Sequence, residues 1–159
     1  MSERPAEVRF YVDQDLLGLA KILVQVRSDV TYPGDPGGVL HRQRRPASPI
    51  RAGARDVDWI PVVAERGWLV LSRDQQIQFT YAELTAVRDS GTRMVRLSGE
   101  AGKRKWTQLE AVMTQWRKIE QLLTEEGPLL VRATHTAFSQ VDIESEIARL
   151  ESGRRRPRG

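Results

Sequence analysis

The chain predicts an α/β fold: a three-layer α/β/α sandwich around a mostly parallel central sheet. Three observations carry this reading. Val8 to Val12 is a short apolar, β-favouring run, and Trp68 to Leu71 is continuously apolar, the habit of a parallel-sheet strand covered on both faces. Between them lie stretches with apolar residues at threes and fours, the helical period. The two kinds of segment alternate as β-α-β-(loop)-α-β-α-β-α-β, the order that lays helices on both faces of one sheet.

Val8 to Val12 is the first strand, and it breaks at two acids spaced one apart, Asp13 and Asp15. A helix from about Asp15 to Val26 follows, its buried stripe being Leu16, Leu19, Ala20 and Leu23. Asp29 to Tyr32 reads as a second strand. Pro33-Gly34-Asp35-Pro36-Gly37-Gly38 then stops regular structure, and residues 33–55 are expected to form one long basic loop. Order restarts at Asp56-Val57-Asp58-Trp59-Ile60-Pro61, with Asp56 or Asp58 as helix cap, and Gly67 ends that helix. Trp68 to Ser72 is a buried strand that terminates in Arg73-Asp74, a second strand ending in a carboxylate.

Thr80 and Glu83 stand in capping-box spacing before a helix that Gly91 closes. Arg93 to Leu97 is another strand. Trp106, Leu109, Val112, Met113, Trp116, Ile119, Leu122 and Leu123 then mark a long amphipathic helix, ended by Gly127-Pro128. Leu129 to Thr134 is expected as a last, edge strand, and Val141 to Leu150 as a short charged helix. The 159 residues suit one domain, assigned to 1–140, with 141–159 a charged helical or disordered C-terminal tail. Trp59, Trp68, Trp106 and Trp116 are all read as core.

Composition narrows the function. There is no cysteine, hence no disulfide framework and no thiolate zinc site. His41 and His135 are far apart and have no ligand-like neighbours. The opening Met-Ser-Glu-Arg-Pro lacks an apolar signal core, and no run approaches membrane-span length, so no membrane partner and a cytoplasmic location are expected. The net charge of +4 is unevenly spread: residues 41–55 hold five arginines and no acid, and residues 154–158 hold four more. Such blocks attract phosphate backbones, or simply keep a protein in solution.

Right-handed crossovers bring the carboxyl ends of parallel strands to one sheet edge. Asp13 and Asp74 then meet there, with Asp56 and Asp58 arriving on an adjacent helix start. Carboxylates that converge without His or Cys suit hard divalent cations, Mg²⁺ or Mn²⁺. Such ions make a hydroxide nucleophile and neutralise a scissile phosphate, so an acidic pocket beside basic loops suits a phosphodiester. Each acid also has a structural explanation: Asp13 as a turn residue, Asp15 as a helix cap, Asp56 or Asp58 as a cap, Asp74 as the start of a turn before Gln75-Gln76-Ile77. Ser72 has no nearby His in sequence, which argues against a serine nucleophile.

The stretches Phe10-Tyr11-Val12-Asp13-Gln14-Asp15-Leu16, Asp56-Val57-Asp58-Trp59-Ile60-Pro61 and Arg66-Gly67-Trp68-Leu69-Val70-Leu71-Ser72-Arg73-Asp74 resemble the PIN-like family. The likeness is nearest to those members grouped with VapC-type toxins of type II toxin–antitoxin systems, and it covers roughly residues 8 to 98. The resemblance implies a metal-dependent ribonuclease on a small α/β/α sandwich, using Mg²⁺ or Mn²⁺. It implies Asp13, Asp56 and Asp74 as metal-binding and catalytic acids, Asp58 as a neighbouring catalytic candidate, and Ser72 as the small hydroxyl two before the last acid. RNA is the implied substrate, with an antitoxin protein and a second copy of the chain as candidate partners. Arg73, Arg42, Arg44 and Arg45 are the expected phosphate contacts. Two departures stand out: no candidate for the further acid that relatives carry on an intermediate helix, and Gln75-Gln76 where a charged residue is common.

Two other functions fit parts of the pattern. One is a catalytically weak PIN-like module that binds nucleic acid or a protein partner through its basic loop and tail. The other is a haloacid-dehalogenase-like phosphatase, suggested by Asp13-x-Asp15 after a strand. That chemistry needs a late acidic pair, and Leu97-Ser98-Gly99 offers none.

Overall fold

The computed structural model of the protein describes residues 2–74 and 79–155. Its main sheet has six strands. They are β2 (Phe10–Val12), β3 (Val30–Thr31), β6 (Leu69–Arg73), β7 (Arg93–Leu97), β8 (Leu129–Ala133) and β9 (Phe138–Gln140), in the order β3-β2-β6-β7-β8-β9. All neighbours pair in parallel except β8 with β9. The expected sandwich is thus present, with one correction. Leu129–Ala133 is not the edge, because the chain turns at Thr134–Ala137 and adds the short antiparallel β9 outside it.

Alternation along each strand sorts side chains onto two faces. Phe10, Val12, Leu69, Leu71, Val95, Leu97, Leu129 and Val131 point to one side. There they meet Leu19, Ala20 and Leu23 of α1 (Leu17–Leu23) and Ala111, Val112 and Ile119 of α4 (Lys105–Gln121). Tyr11, Val70, Met94 and Leu130 point to the other. They meet Trp59, Ile60 and Val63 of α2 (Asp56–Arg66), Leu84 and Val87 of α3 (Tyr81–Ser90), and Ile143 and Ile147 of α5 (Ile143–Arg155). The expected boundary at residue 140 therefore falls between β9 and a helix of the same core. Tyr81 Oη also reaches Glu151 of α5 at 3.1 Å. Of the arginine tail, Arg156 and Arg158 lie outside the described residues.

The stretch 33–55 is not a structureless loop. It contains a hairpin, β4 (Gly38–Leu40) and β5 (Gln43–Arg45), and β5 also pairs with β1 (Arg4–Pro5). The hairpin is held from inside: Arg45, 7% exposed, forms an ion pair with Asp35, which is 2% exposed and also accepts from Thr31 Oγ1 and the Gly37 amide. A buried carboxylate with one cation and two further donors is satisfied, and it pins the loop to the end of β3. His41 and Arg42 form the tight turn with positive φ. The strands are only three residues each, Gly-Val-Leu and Gln-Arg-Arg, too short and too polar for a reading based on apolar runs.

Three of the four tryptophans pack in the core. Trp59 and Trp68 are buried and flank Tyr11, and Trp116 packs on Phe10 with ring centroids 4.8 Å apart. Trp106 is corrected: it is 69% exposed, in the first turn of α4. Its spacing fits the apolar stripe, but the stripe outruns the sheet that the helix covers.

Candidate functional site

A cavity of about 400 Å³ opens at the carboxyl ends of β2, β6 and β7, on the face covered by α2 and α3. Asp13, Gln14 and Asp15 enter it from the end of β2. Asp56 and Trp59 enter from the first turn of α2, Thr80 and Glu83 from the start of α3, and Arg73 and Arg96 from the ends of β6 and β7. This is the edge where open parallel sheets carry their binding sites.

Asp13 extends β2 by one backbone hydrogen bond, to Leu71 O at 2.9 Å. It then caps a short 3-10 turn, Gln14–Leu16, by accepting from the Gln14 amide at 2.7 Å. So Asp13 takes the capping role that Asp15 was expected to share, and Asp15 falls inside the turn. Burial, then the charge of Asp15, then that of Asp56 push the Asp13 carboxyl up to about 7, against the pull of the Gln14 amide and Arg96. The hydroxyl of Tyr11, fully buried below, is raised by burial first and then by Asp13 and Asp56. The pocket floor thus concentrates negative charge that its own surroundings only partly balance.

Asp56 occupies the first position of α2, with Arg55 in the capping position, so neither Asp56 nor Asp58 caps the helix. Asp56 lines the cavity, and its Oδ1 accepts from Trp59 Nε1 at 3.0 Å. Asp58 is exposed, pairs with Arg55 at 3.2 Å, and does not line the cavity.

Asp74 is placed differently. Its amide binds Leu97 O, so it lies beside Ser98, and Ser98 Oγ donates to its Oδ2 at 2.6 Å. Arg96 Nε lies 3.4 Å from its Oδ1 and Arg132 Nε 3.7 Å from its Oδ2. The cavity lining does not include it. Ser72, 1% exposed, accepts weakly from Arg96 Nε at 3.4 Å. Its register explains this: Ser72, Arg96 and Arg132 are cross-strand partners on one face. The turn expected at Gln75-Gln76-Ile77 lies outside the described residues.

Two residues that the sequence reading did not assign to the site belong to the cavity wall. Glu83, read as half of a capping box, leaves the cap: its amide donates to Thr80 Oγ1, but its carboxylate turns to Arg96 Nη2 at 2.6 Å. Glu83 thus adds a carboxylate to the cavity wall from α3, after Asp74 in sequence, where the sequence reading had no site candidate. Arg96 is 9% exposed, and its guanidinium lies over Phe79, with that of Arg132 also at the ring, 4.6 and 4.5 Å from its centroid. The signal was present as an arginine one residue before the end of a buried strand, where period two aims it at the same face as Met94.

The basic candidates separate in the same way. Arg73 lines the cavity, donates from Nη1 to Gly102 O at 3.2 Å, and has a buried Nε with no hydrogen-bond partner among the described residues. Arg44 pairs with Glu3 at 2.6 Å and Arg45 is turned inward to Asp35, so Arg45 presents no guanidinium to solvent. Arg42 is exposed on the hairpin turn, away from the cavity lining.

The residues that could hold a divalent cation are the acids lining the cavity, Asp13, Asp15, Asp56 and Glu83, with hard carboxylate oxygens. Among the described residues no three acids stand as a ready-made cage. The donor set fits an ion held by one or two carboxylates that keeps several waters, the usual mode of Mg²⁺.

The model of a family described as a PIN like domain matches residues 8–99, from β2 to just past β7, and so includes every acid that lines the cavity. No curated protein and no solved structure matches.

Proposed function

The chain belongs to the PIN-like domain family, whose fold is of the nuclease type, and on that premise we propose that it is a metal-dependent ribonuclease. The observation that carries this reading is the coincidence of Asp13, Asp56 and Glu83 with Arg73 and Arg96 in one cavity at the sheet edge. Asp13 and Asp56 would hold Mg²⁺ or Mn²⁺. When bound, the ion supplies an activated water and a positive charge beside the scissile phosphate. Arg73, which lines the cavity, would meet a phosphate oxygen there. Asp74 would act from outside the cavity, by orienting Arg96. The toxin role, with an antitoxin partner, is the biological setting consistent with such an activity.

The test is calorimetric titration of Mn²⁺ into wild type and Asp13→Asn, with cleavage of single-stranded RNA followed in parallel. Metal binding and cleavage in wild type, both lost in the variant, are the expected results. Full cleavage by Asp13→Asn would refute the assignment. A second reading, a weakly catalytic module that binds nucleic acid, is favoured by one observation: Asp74 is tied to Arg96, Arg132 and Ser98 and supplies the cavity with no carboxylate. Salt-sensitive RNA binding with no metal uptake would select it.

A further inference from the structure

Residues 103–106 form a run that the cavity does not use. Lys103, Arg104, Lys105 and Trp106 are consecutively exposed where the 3-10 turn Gly99–Gly102, which follows β7, passes into α4. Lys103 pairs with Glu100 at 2.8 Å. Arg104 and Lys105 enter no ion pair among the described residues. The Trp106 indole is 69% exposed, although Leu109 and Trp116 on the same helix pack against the core.

This run is anchored at two points, one on the cavity wall and one on α1. Gly102 O accepts from Arg73 Nη1 at 3.2 Å and from Gln108 Nε2 at 2.9 Å, so the segment is fastened to a residue of the cavity wall. On the other side the Lys105 stem lies across Gly18: a Cβ at Gly18 would stand 2.9 Å from Lys105 Cδ. Gly18 is in the first turn of α1, directly after the turn that delivers Gln14 and Asp15 to the cavity. Unspent cations and an open aromatic face, beside a cavity with two further guanidiniums, match a polyanion that carries flat apolar rings.

We infer that Trp106, with Arg104 and Lys105, is a subsite that stacks an unpaired base of single-stranded RNA and holds the adjoining backbone phosphate. It rests on the ribonuclease reading and deepens it by naming the form of the substrate. A single strand is required because the base must leave its stack to lie on the indole, which a duplex forbids. Sequence preference at this position is weak, since every base has a π-face.

The test is fluorescence anisotropy of a labelled single-stranded oligouridylate against full-length protein in EDTA, so that nothing is cleaved. A duplex of equal length serves as comparator. Wild type is expected to prefer the single strand. Trp106→Ala should weaken it roughly fivefold to a hundredfold, with Trp106→Phe retaining most of the affinity. Lys105→Gln should flatten the salt dependence by about one unit of slope. Equal affinity in wild type and Trp106→Ala overturns the inference. So does a Trp106-dependent self-association with RNA affinity unchanged, which would make this face a protein contact. Cleavage with Mn²⁺ is read separately. If wild type and Trp106→Ala cleave and bind alike, the subsite is wrong and the ribonuclease reading stands; no binding and no cleavage by wild type removes both.

Discussion

Arg96 Nη2 lies 2.6 Å from Glu83 Oε2, joining the end of β7 to the start of α3 across the wall of the cavity. Both partners are largely shielded, 10% and 30% exposed at the side chain. A double-mutant cycle with Arg96→Met and Glu83→Leu should give a coupling of about 1–3 kcal/mol in urea unfolding. Arg96→Met alone should be the most damaging member, since it strands Glu83 and Asp74 together. A coupling near zero would mean that the pair is incidental.

Stability should depend on pH through Asp13. Its carboxyl is raised to about 7 in the folded protein from 3.8, so the folded state holds a proton that the unfolded chain releases. Stability from this residue is therefore fully present below about pH 4 and is lost as pH rises to about 7. With divalent ions chelated, Asp13→Asn should be more stable than wild type at pH 8, by on the order of 2–4 kcal/mol, and the difference should vanish near pH 4. Chemical denaturation at the two pH values measures it. A gap that does not change with pH would show that Asp13 is hydrated enough in the folded protein to keep an ordinary carboxyl.

Arg45 should behave as a structural residue. Arg45→Met leaves Asp35 buried and uncompensated, at a cost of about 3–5 kcal/mol. Limited proteolysis should then cut within residues 33–55, where wild type is expected to resist. Arg44→Ala, by contrast, removes only an exposed pair with Glu3 and should leave the digestion pattern unchanged.

The acids should rank by place. Asp13→Asn is expected to lower RNA cleavage by at least about 100-fold, and Glu83→Gln to lower it measurably. Asp58→Asn, on an exposed side chain paired with Arg55, should stay within about threefold of wild type. Initial rates with saturating Mn²⁺ decide the order. Equal losses at Asp13 and Asp58 would contradict the cavity assignment.

Helix α5 should be part of the cooperative unit. Ile147, 2% exposed against α3 and the sheet, should cost about 2–4 kcal/mol as Ile147→Ala. Truncation after Val141 should expose Leu130 and Val87 and lower the melting temperature sharply. An unaffected melting curve would restore the boundary at 140.

The fold was legible because its strands are continuous apolar runs and its helices keep a clean period. Phe10 to Val12 and Leu69 to Leu71 are apolar at every position, which only a sheet covered on both sides rewards. The hairpin in residues 33–55 was illegible for the opposite reason: Gly38–Leu40 and Gln43–Arg45 are held by backbone pairing and one buried ion pair, neither of which leaves an apolar signature. Trp106 had the right spacing and the wrong surroundings, because periodicity records a face and not what lies opposite it.

By itself the sequence determined the family, the α/β/α class and the arrival of Asp13 and Asp74 at one sheet edge, since strand ends and crossover handedness are local or nearly so. Only the tertiary structure decided which acids share a cavity. Asp74 is one strand further across, level with Ser98, and is captured by Arg96 and Arg132. Glu83, by its fixed place on α3, is turned into the wall by the same Arg96. Those outcomes depend on cross-strand register and on ion pairs formed between residues far apart in sequence, and a charge acquires its partner only when the chain has closed around it.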